Sequence, residues 1–351
     1  MTRERILRIL LIIAVSALVG ACGVLFVRVL QLRDAYKVMA FSSLQSIRVA
    51  KQLEQSRMRH LPSVSAPTTT ILFTGDIMLS RGVMSEVKKH GDDATFPFTF
   101  IASTTRVADI LVGNLEGPIS TLGKDQGNPY PFRADPMIIS GLQFAGFDVL
   151  TLANNHILDW GREALSDTVS RLSEASIRVS GAGRNEPEAN TPAIVQSKGM
   201  TFAIFSYTNL NPKSFYAVGN SAGTSRFNEQ EIVKAVKSAK KEGMVVVVSM
   251  HWGDEYRSRA NTTQQALGKM FIDAGADIVV GHHPHVVQEV ERYGNGWIAY
   301  SLGNFIFDQN FSEETNKGLL LEATVTQARV MNVRLVPIRI NTNFQTEPYE
   351  L

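Results

Sequence analysis

Residues 277–285 read Asp-Ile-Val-Val-Gly-His-His-Pro-His. Three β-branched residues and a glycine lead into a histidine cluster, the pattern of a short buried strand that ends in a polar loop. The same order returns along the chain: Leu-Thr-Leu-Ala-Asn-Asn-His ends at His156, and Val-Val-Val-Val-Ser-Met-His-Trp-Gly-Asp-Glu ends at Glu255. Two further apolar runs end in Thr-Gly-Asp at Asp76 and in Val-Gly-Asn-Leu-Glu at Glu116. Ligands of open α/β sheets bind beyond the carboxyl ends of the strands, so polar groups far apart in sequence can converge there. Five of the seven histidines lie in these segments, and a shared metal site is the simplest purpose for them.

Outward from these segments, strands and helices alternate. After ILFTGD and DILVGN, a helix is expected behind Pro136, reaching Gly146; DVLTLANNH follows, then a helix from Gly161 to Ala175. Asn228 with Glu231, and Thr262 with Gln265, have capping-box spacing. Beyond Gly281 the chain turns strand-rich, with VVQEVE, GWIAYSLGNF, GLLLEATV and MNVRLVPIRI. An α/β fold of two packed sheets with helices outside is expected over residues 69–340, followed by a C-terminal tail at 341–351.

The N-terminus reads differently. Residues 1–8 carry Arg3, Arg5 and Arg8, and an uncharged run follows from Ile9 to Val27. At 1.5 Å per residue that run spans the roughly 30 Å of a bilayer's hydrocarbon core. A single-pass anchor is expected, with the short tail inside and the globular domain outside the cytoplasm. Val19-Gly20-Ala21-Cys22 offers the alternative of a lipoprotein, but the apolar run continues past the cysteine. Residues 28–68 read as a helical stalk and a short Ser/Thr/Pro-rich linker. A formal net charge of +2 with scattered basic residues argues against a nucleic-acid partner. Oligomeric state is left open.

Singly, each polar cluster has an ordinary account: Asp76 could cap a helix, Asn114 stabilise a turn, His251 sit in a core. Together, carboxylate, amide and imidazole groups without thiolate point to one or two ions of Mn, Fe or Zn at a site with open positions. Two such ions about 3.5–4 Å apart would clamp a phosphoryl group. The candidate ligands are Asp76, Asn114, Glu116, Asn155, His251, His282, His283 and His285. Arg81 and Arg133 are candidates for holding an anionic substrate, since a guanidinium matches phosphate bidentately. Asn304 either lines the pocket or caps a turn.

GDIMLSR from Gly75, GNLEGP from Gly113, LANNH from Leu152, HWGDEY from His251, GHHPHVVQ from Gly281 and SLGNFIFDQ from Ser301 resemble the successive signatures of the bacterial CapA capsule-synthesis family, associated with poly-γ-glutamate. The resemblance implies the fold of the calcineurin-like metallophosphatase superfamily, a two-sheet sandwich flanked by helices. It places Asp76 as the first-strand aspartate, Asn114 and Glu116 at the bridging position, and Asn155 with His156 as the Asn-His pair. His251 and the cluster through His285 become the late histidines. Within that cluster His282 follows the glycine, whereas His283 and His285 have the one-residue gap; the latter pair is preferred. The superfamily's usual Asp-x-His is Asp76-Ile77-Met78 here, and its bridging Asp is Asn114. By the resemblance Asp76 and His156 would be catalytic, His156 protonating the leaving group of a phosphoester. The implied partners are an anionic polymer or phosphoester and other capsule-synthesis membrane proteins. A non-catalytic subunit binding polymer or partner proteins, and a cell-surface phosphodiesterase unrelated to capsule, are the alternatives.

Overall fold

A computed structural model describes Arg28 and residues 67–327 and 329–349. The expected anchor at 9–27, Cys22, and nearly all of the stalk and linker lie outside the described residues. Among those described, no helix is long and apolar enough to cross a membrane.

Two sheets face each other. In the first, β1 (Thr69–Ile77), β2 (Ile110–Leu115), β3 (Val149–Thr151) and β4 (Arg178–Ser180) run parallel. On the other side of β1, β14 (Lys317–Val325), β15 (Val330–Ile340) and β16 (Thr346–Pro348) add antiparallel neighbours, and β13 (Asn304–Ile306) pairs with the end of β1. The second sheet has the order β11 (Val290–Tyr293), β12 (Gly296–Ala299), β10 (Ile278–His282), β9 (Val245–His251), β7 (Met200–Thr208), β6 (Ala193–Ser197). A two-stranded ribbon joins β5 (Ala182–Gly183) to β8 (Gly223–Thr224).

The layers follow from which faces are apolar. Ile71, Phe73, Val112 and Val149 of the first sheet meet Phe202, Ile204, Val247 and Val280 of the second in one core between the sheets. Because both faces of these parallel strands are buried, they read as continuous apolar runs rather than alternating ones. The outer face of the first sheet packs on helices α1 (Arg81–Lys89), α2 (Ala102–Thr105), α3 (Ile139–Ala145) and α4 (Gly161–Glu174). After α5 (Glu186–Asn190), helices α6 (Glu229–Lys241) and α7 (Thr262–Asp273) cover the outer face of the second. The expected two-sheet sandwich with outer helices is what the chain forms.

Local signals fare unevenly. Asn228 caps α6, accepting from the Glu231 N–H at 3.1 Å. The expected cap of α7 at Thr262 is displaced by one residue: Asn261 and Gln264 form the reciprocal capping box. Asn is the better N-cap, and Thr262 becomes the first helical residue. GWIAYSLGNF is two strands in different sheets, not one, because Gly303 turns at a φ of 70° between them. VVQEVE contributes only its end to β11. The expected tail adds β16 to the first sheet.

Candidate metal centre

The site lies at the carboxyl ends of the parallel strands, where both sheets contribute. Register sets Asp76 beside Asn114 on one side and beside Asn304 on the other. In the second sheet His251 stands opposite His282. Two glycines permit the close approach this requires. A Cβ at Gly75 would lie 2.0 Å from the Gly303 carbonyl oxygen, and one at Gly281 would lie 1.9 Å from that of Tyr300.

Asp76 is fully buried. Its Oδ1 accepts from Asn114 Nδ2 at 2.8 Å and its Oδ2 from the His283 N–H at 3.1 Å. Burial works against its charge, but His282 and His285, each with Nδ1 3.4 Å from a carboxylate oxygen, outweigh it and hold Asp76 well below the usual carboxylate range. Glu116 contrasts with it. Both its oxygens are buried without any hydrogen-bond partner among the described residues, and burial pushes its pKa up to about 7. Its nearest imidazole nitrogens, His156 Nε2 and His285 Nε2, are each 3.8 Å away. Burial opposes the charge on His285 too, but the Glu116 and Asp76 carboxylates raise it to about 9; His283, buried and beside His285, falls to about 4.

A buried carboxylate with two unsatisfied oxygens is costly in water-excluded surroundings unless a cation meets it. The ligand atoms of Asp76, Glu116 and His285 lie within 4.8 Å of one another, and so do those of Glu255, His283 and His285. Neutral imidazole and carboxylate suit Mn, Fe or Zn, so the donor set fits a divalent cation. His283 and His285 hold left-handed backbones at φ 96° and 57°, a conformation that costs non-glycine residues about 1–3 kcal/mol and persists where a site over-determines it.

The remaining candidates are placed as follows. His282 belongs to neither group and lies against Asp76, its Nδ1 without a hydrogen bond. His251 Nε2 meets Asn155 Oδ1 at 2.7 Å, so these two are spent largely on each other. Asn114 gives its amide to Asp76, and its oxygen faces Thr151 Oγ1 and Asn154 Nδ2, each at 3.4 Å. Asn304 is fully buried: it meets His285 Nδ1 at 3.0 Å and donates to Gln309 and to the Thr315 carbonyl, orienting an imidazole rather than meeting solvent. Arg81 pairs with Asp308 and lies 5.0 Å over the Phe132 ring, whereas Arg133 stacks on Trp160 at 3.4 Å. Met78 is buried with its thioether accepting from the Ser80 hydroxyl at 3.0 Å.

Two residues were not singled out from sequence. Asp159 Oδ2 meets His156 Nδ1 at 2.7 Å and also accepts from the Phe132 N–H at 2.8 Å, while the Phe132 ring stacks on His156 at 3.9 Å. The imidazole is thus fixed with Nε2 toward Glu116. Glu255 completes the second ligand group; it stands in the quoted HWGDE segment, and only its spacing from His251 could have marked it.

The profile described as "Bacterial capsule synthesis protein PGA_cap" matches residues 70–309. The chain belongs to that family. "Capsule biosynthesis protein CapA" of Bacillus anthracis is 35% identical over 263 residues, 72% of this chain and 62% of that protein. "PGA biosynthesis protein CapA" of Bacillus subtilis (strain 168) is 33% identical over 251 residues, 71% of this chain and 66% of that protein. The match therefore spans just under two thirds of each of these relatives. Among solved structures, a putative 5′-nucleotidase from Staphylococcus aureus in complex with α-ketoglutarate aligns with a TM-score of 0.48 at 14% identity, over 80% of this chain and 56% of that one. A likeness that slight carries no argument about activity. The ligand groups built on Asp76, Glu116 and the histidines all fall inside the PGA_cap match.

Proposed function

We propose that this PGA_cap protein is a metal-dependent phosphoester hydrolase serving poly-γ-glutamate capsule synthesis, anchored by residues 9–27 with its domain outside the cytoplasm. The observation that carries the chemistry is Glu116, a buried carboxylate with both oxygens unpartnered, set among Asp76, His156 and His285. Asp76, Glu116, His285, His283 and Glu255 would hold the ion or ions. A bound divalent cation would supply charge neutralisation for the oxygens of a phosphoryl group. His156, tied by Asp159 through Nδ1, turns Nε2 to the centre and can hand a proton to a leaving oxygen there. The family and the names of the Bacillus relatives support the capsule assignment. An anionic polymer and other capsule-synthesis membrane proteins are its proposed partners.

A second reading, a non-catalytic subunit that binds polymer or partner proteins, is favoured by Met78, whose thioether takes a ligand position out of use, and by the neutral Asn114 bound to Asp76. Metal content by plasma mass spectrometry, with turnover of an aryl phosphate, decides between them on the full chain and its His283→Ala/His285→Ala variant. The hydrolase reading expects near-stoichiometric metal and turnover that both fall in the variant. Metal without turnover would sink it and leave the binding subunit. No metal after reconstitution would remove the metal centre as well.

A further inference from the structure

Two motif residues are not used by the metal site as described: the tyrosine that ends HWGDEY and the glutamine that ends SLGNFIFDQ. The fold brings them together over His285. His285 Nδ1 meets Asn304 Oδ1 at 3.0 Å, Asn304 Nδ2 donates to Gln309 Oε1 at 3.2 Å, and Gln309 Nε2 donates to the Tyr256 hydroxyl at 3.1 Å. Three bonds in series thus fix a phenol oxygen at the rim relative to a buried ligand imidazole. The Tyr256 ring lies 6.1 Å from that of His285 and is steadied on its other side by Phe311, edge-on at 5.2 Å.

The bonding directions leave one group over. Gln309 spends its oxygen on Asn304, so its amide hydrogens face Tyr256 and the phenol oxygen is the acceptor. The phenol proton is then available to an acceptor outside this series, either the adjoining Glu255 carboxylate or a ligand at the centre. With Glu255 engaged by a cation, the ligand is the better acceptor. The backbone agrees with a demanding placement: Tyr256 has φ 60°, strained for a bulky residue, and its N–H is anchored on the Pro284 carbonyl at 2.8 Å. Tyr256 therefore shares the left-handed conformation of His283 and His285, to which it is bonded through Pro284. Tyr256 as a residue is 44% exposed, which mere cover for His285 would not need.

We propose that Tyr256 is a substrate-orienting residue whose hydroxyl donates to a non-bridging oxygen of a phosphoryl ligand at the centre, with Gln309 positioning it. The assignment rests on the phosphoryl reading above. Its test uses the full chain loaded with Mn2+ and inorganic phosphate as the probe, titrated calorimetrically, with metal content measured alongside. Tyr256→Phe should keep the metal and weaken phosphate binding about tenfold, the effect of one hydrogen bond to a charged acceptor. Gln309→Ala should weaken it less, about threefold, and add nothing in the double variant because it acts through the phenol. Wild type and Tyr256→Phe binding phosphate equally would overturn the role of Tyr256 while leaving the phosphoryl reading in place. Loss of metal from Tyr256→Phe would also overturn it, in favour of a part in holding the ion. A loaded wild type that binds no phosphate would bring down the phosphoryl reading and this assignment with it.

Discussion

Replacing Glu116 with Gln should stabilise the metal-free protein and weaken its stabilisation by metal. The side chain has no hydrogen-bond partner among the described residues, and burial lifts its pKa from the ordinary 4.5 to about 7 against the attraction of His285. A folded-state pKa above the unfolded one means that stability is intact below about pH 4.5 and is lost as the pH rises through about 7. At about 1.4 kcal/mol per unit the loss reaches about 3 kcal/mol near pH 8, an upper figure because side chains and water relax around a buried charge. Gln keeps the shape and never ionises. In chelator near pH 8 the variant should melt roughly 5–10 °C above wild type, narrowing to a degree or two near pH 5. Adding Mn2+ at about 100 times its wild-type Kd should raise wild type by about 2.7 kcal/mol and the variant by distinctly less. Thermal melts at the two pH values, with and without metal, measure all of this. A variant no more stable than wild type in chelator near pH 8 would refute the reasoning, since it would mean that the metal-free fold already satisfies the carboxylate.

Two further outcomes follow from single contacts. Asp159→Asn should lower aryl phosphate turnover by about 100-fold or more while leaving metal content unchanged, because it releases His156 without touching a ligand; unchanged kcat would remove His156 from the proton path. Gly281→Ala puts a Cβ 1.9 Å from the Tyr300 oxygen and 2.4 Å from Trp252 Nε1, so denaturant melts should show a loss above about 3 kcal/mol, against about 1 kcal/mol for Gly199→Ala, strained at φ 79° but with nothing within 4 Å. A loss in Gly281→Ala no larger than that in Gly199→Ala would show that the chain beyond β12 gives way to the added methyl.

The architecture was legible because buried parallel strands leave unbroken apolar runs, and the site because polar clusters follow those runs. His283, His285, Asp76 and Glu116 could be nominated from that order alone. Spacing does not reveal which polar groups are spent on each other, so Asn114, Asn155 and Asn304 read as free when each is bonded to a neighbour. Asp159 was invisible because an Asp three residues after a His, just ahead of a helix, looks like ordinary turn chemistry. Helix α1 went unread since its buried stripe is only Val83, Met84 and Val87. The division of GWIAYSLGNF between two sheets escaped because its largely apolar run hardly breaks, and only the backbone at Gly303 redirects it.

That division bears on the order in which the molecule can assemble. Strand β1, the first of the domain to be made, pairs with β14, among the last, so its flank stays open until nearly the whole domain has been synthesised. Asp76 and His285 meet only once the segment through Gly303 has carried the chain from one sheet to the other. An ion therefore cannot gather Asp76, Glu116 and His285 early in folding. Long-range pairing of this kind forms slowly and leaves strand edges open in the meantime. Ion capture by Asp76, Glu116 and His285 should accordingly come late in folding, a marker that the two sheets have docked.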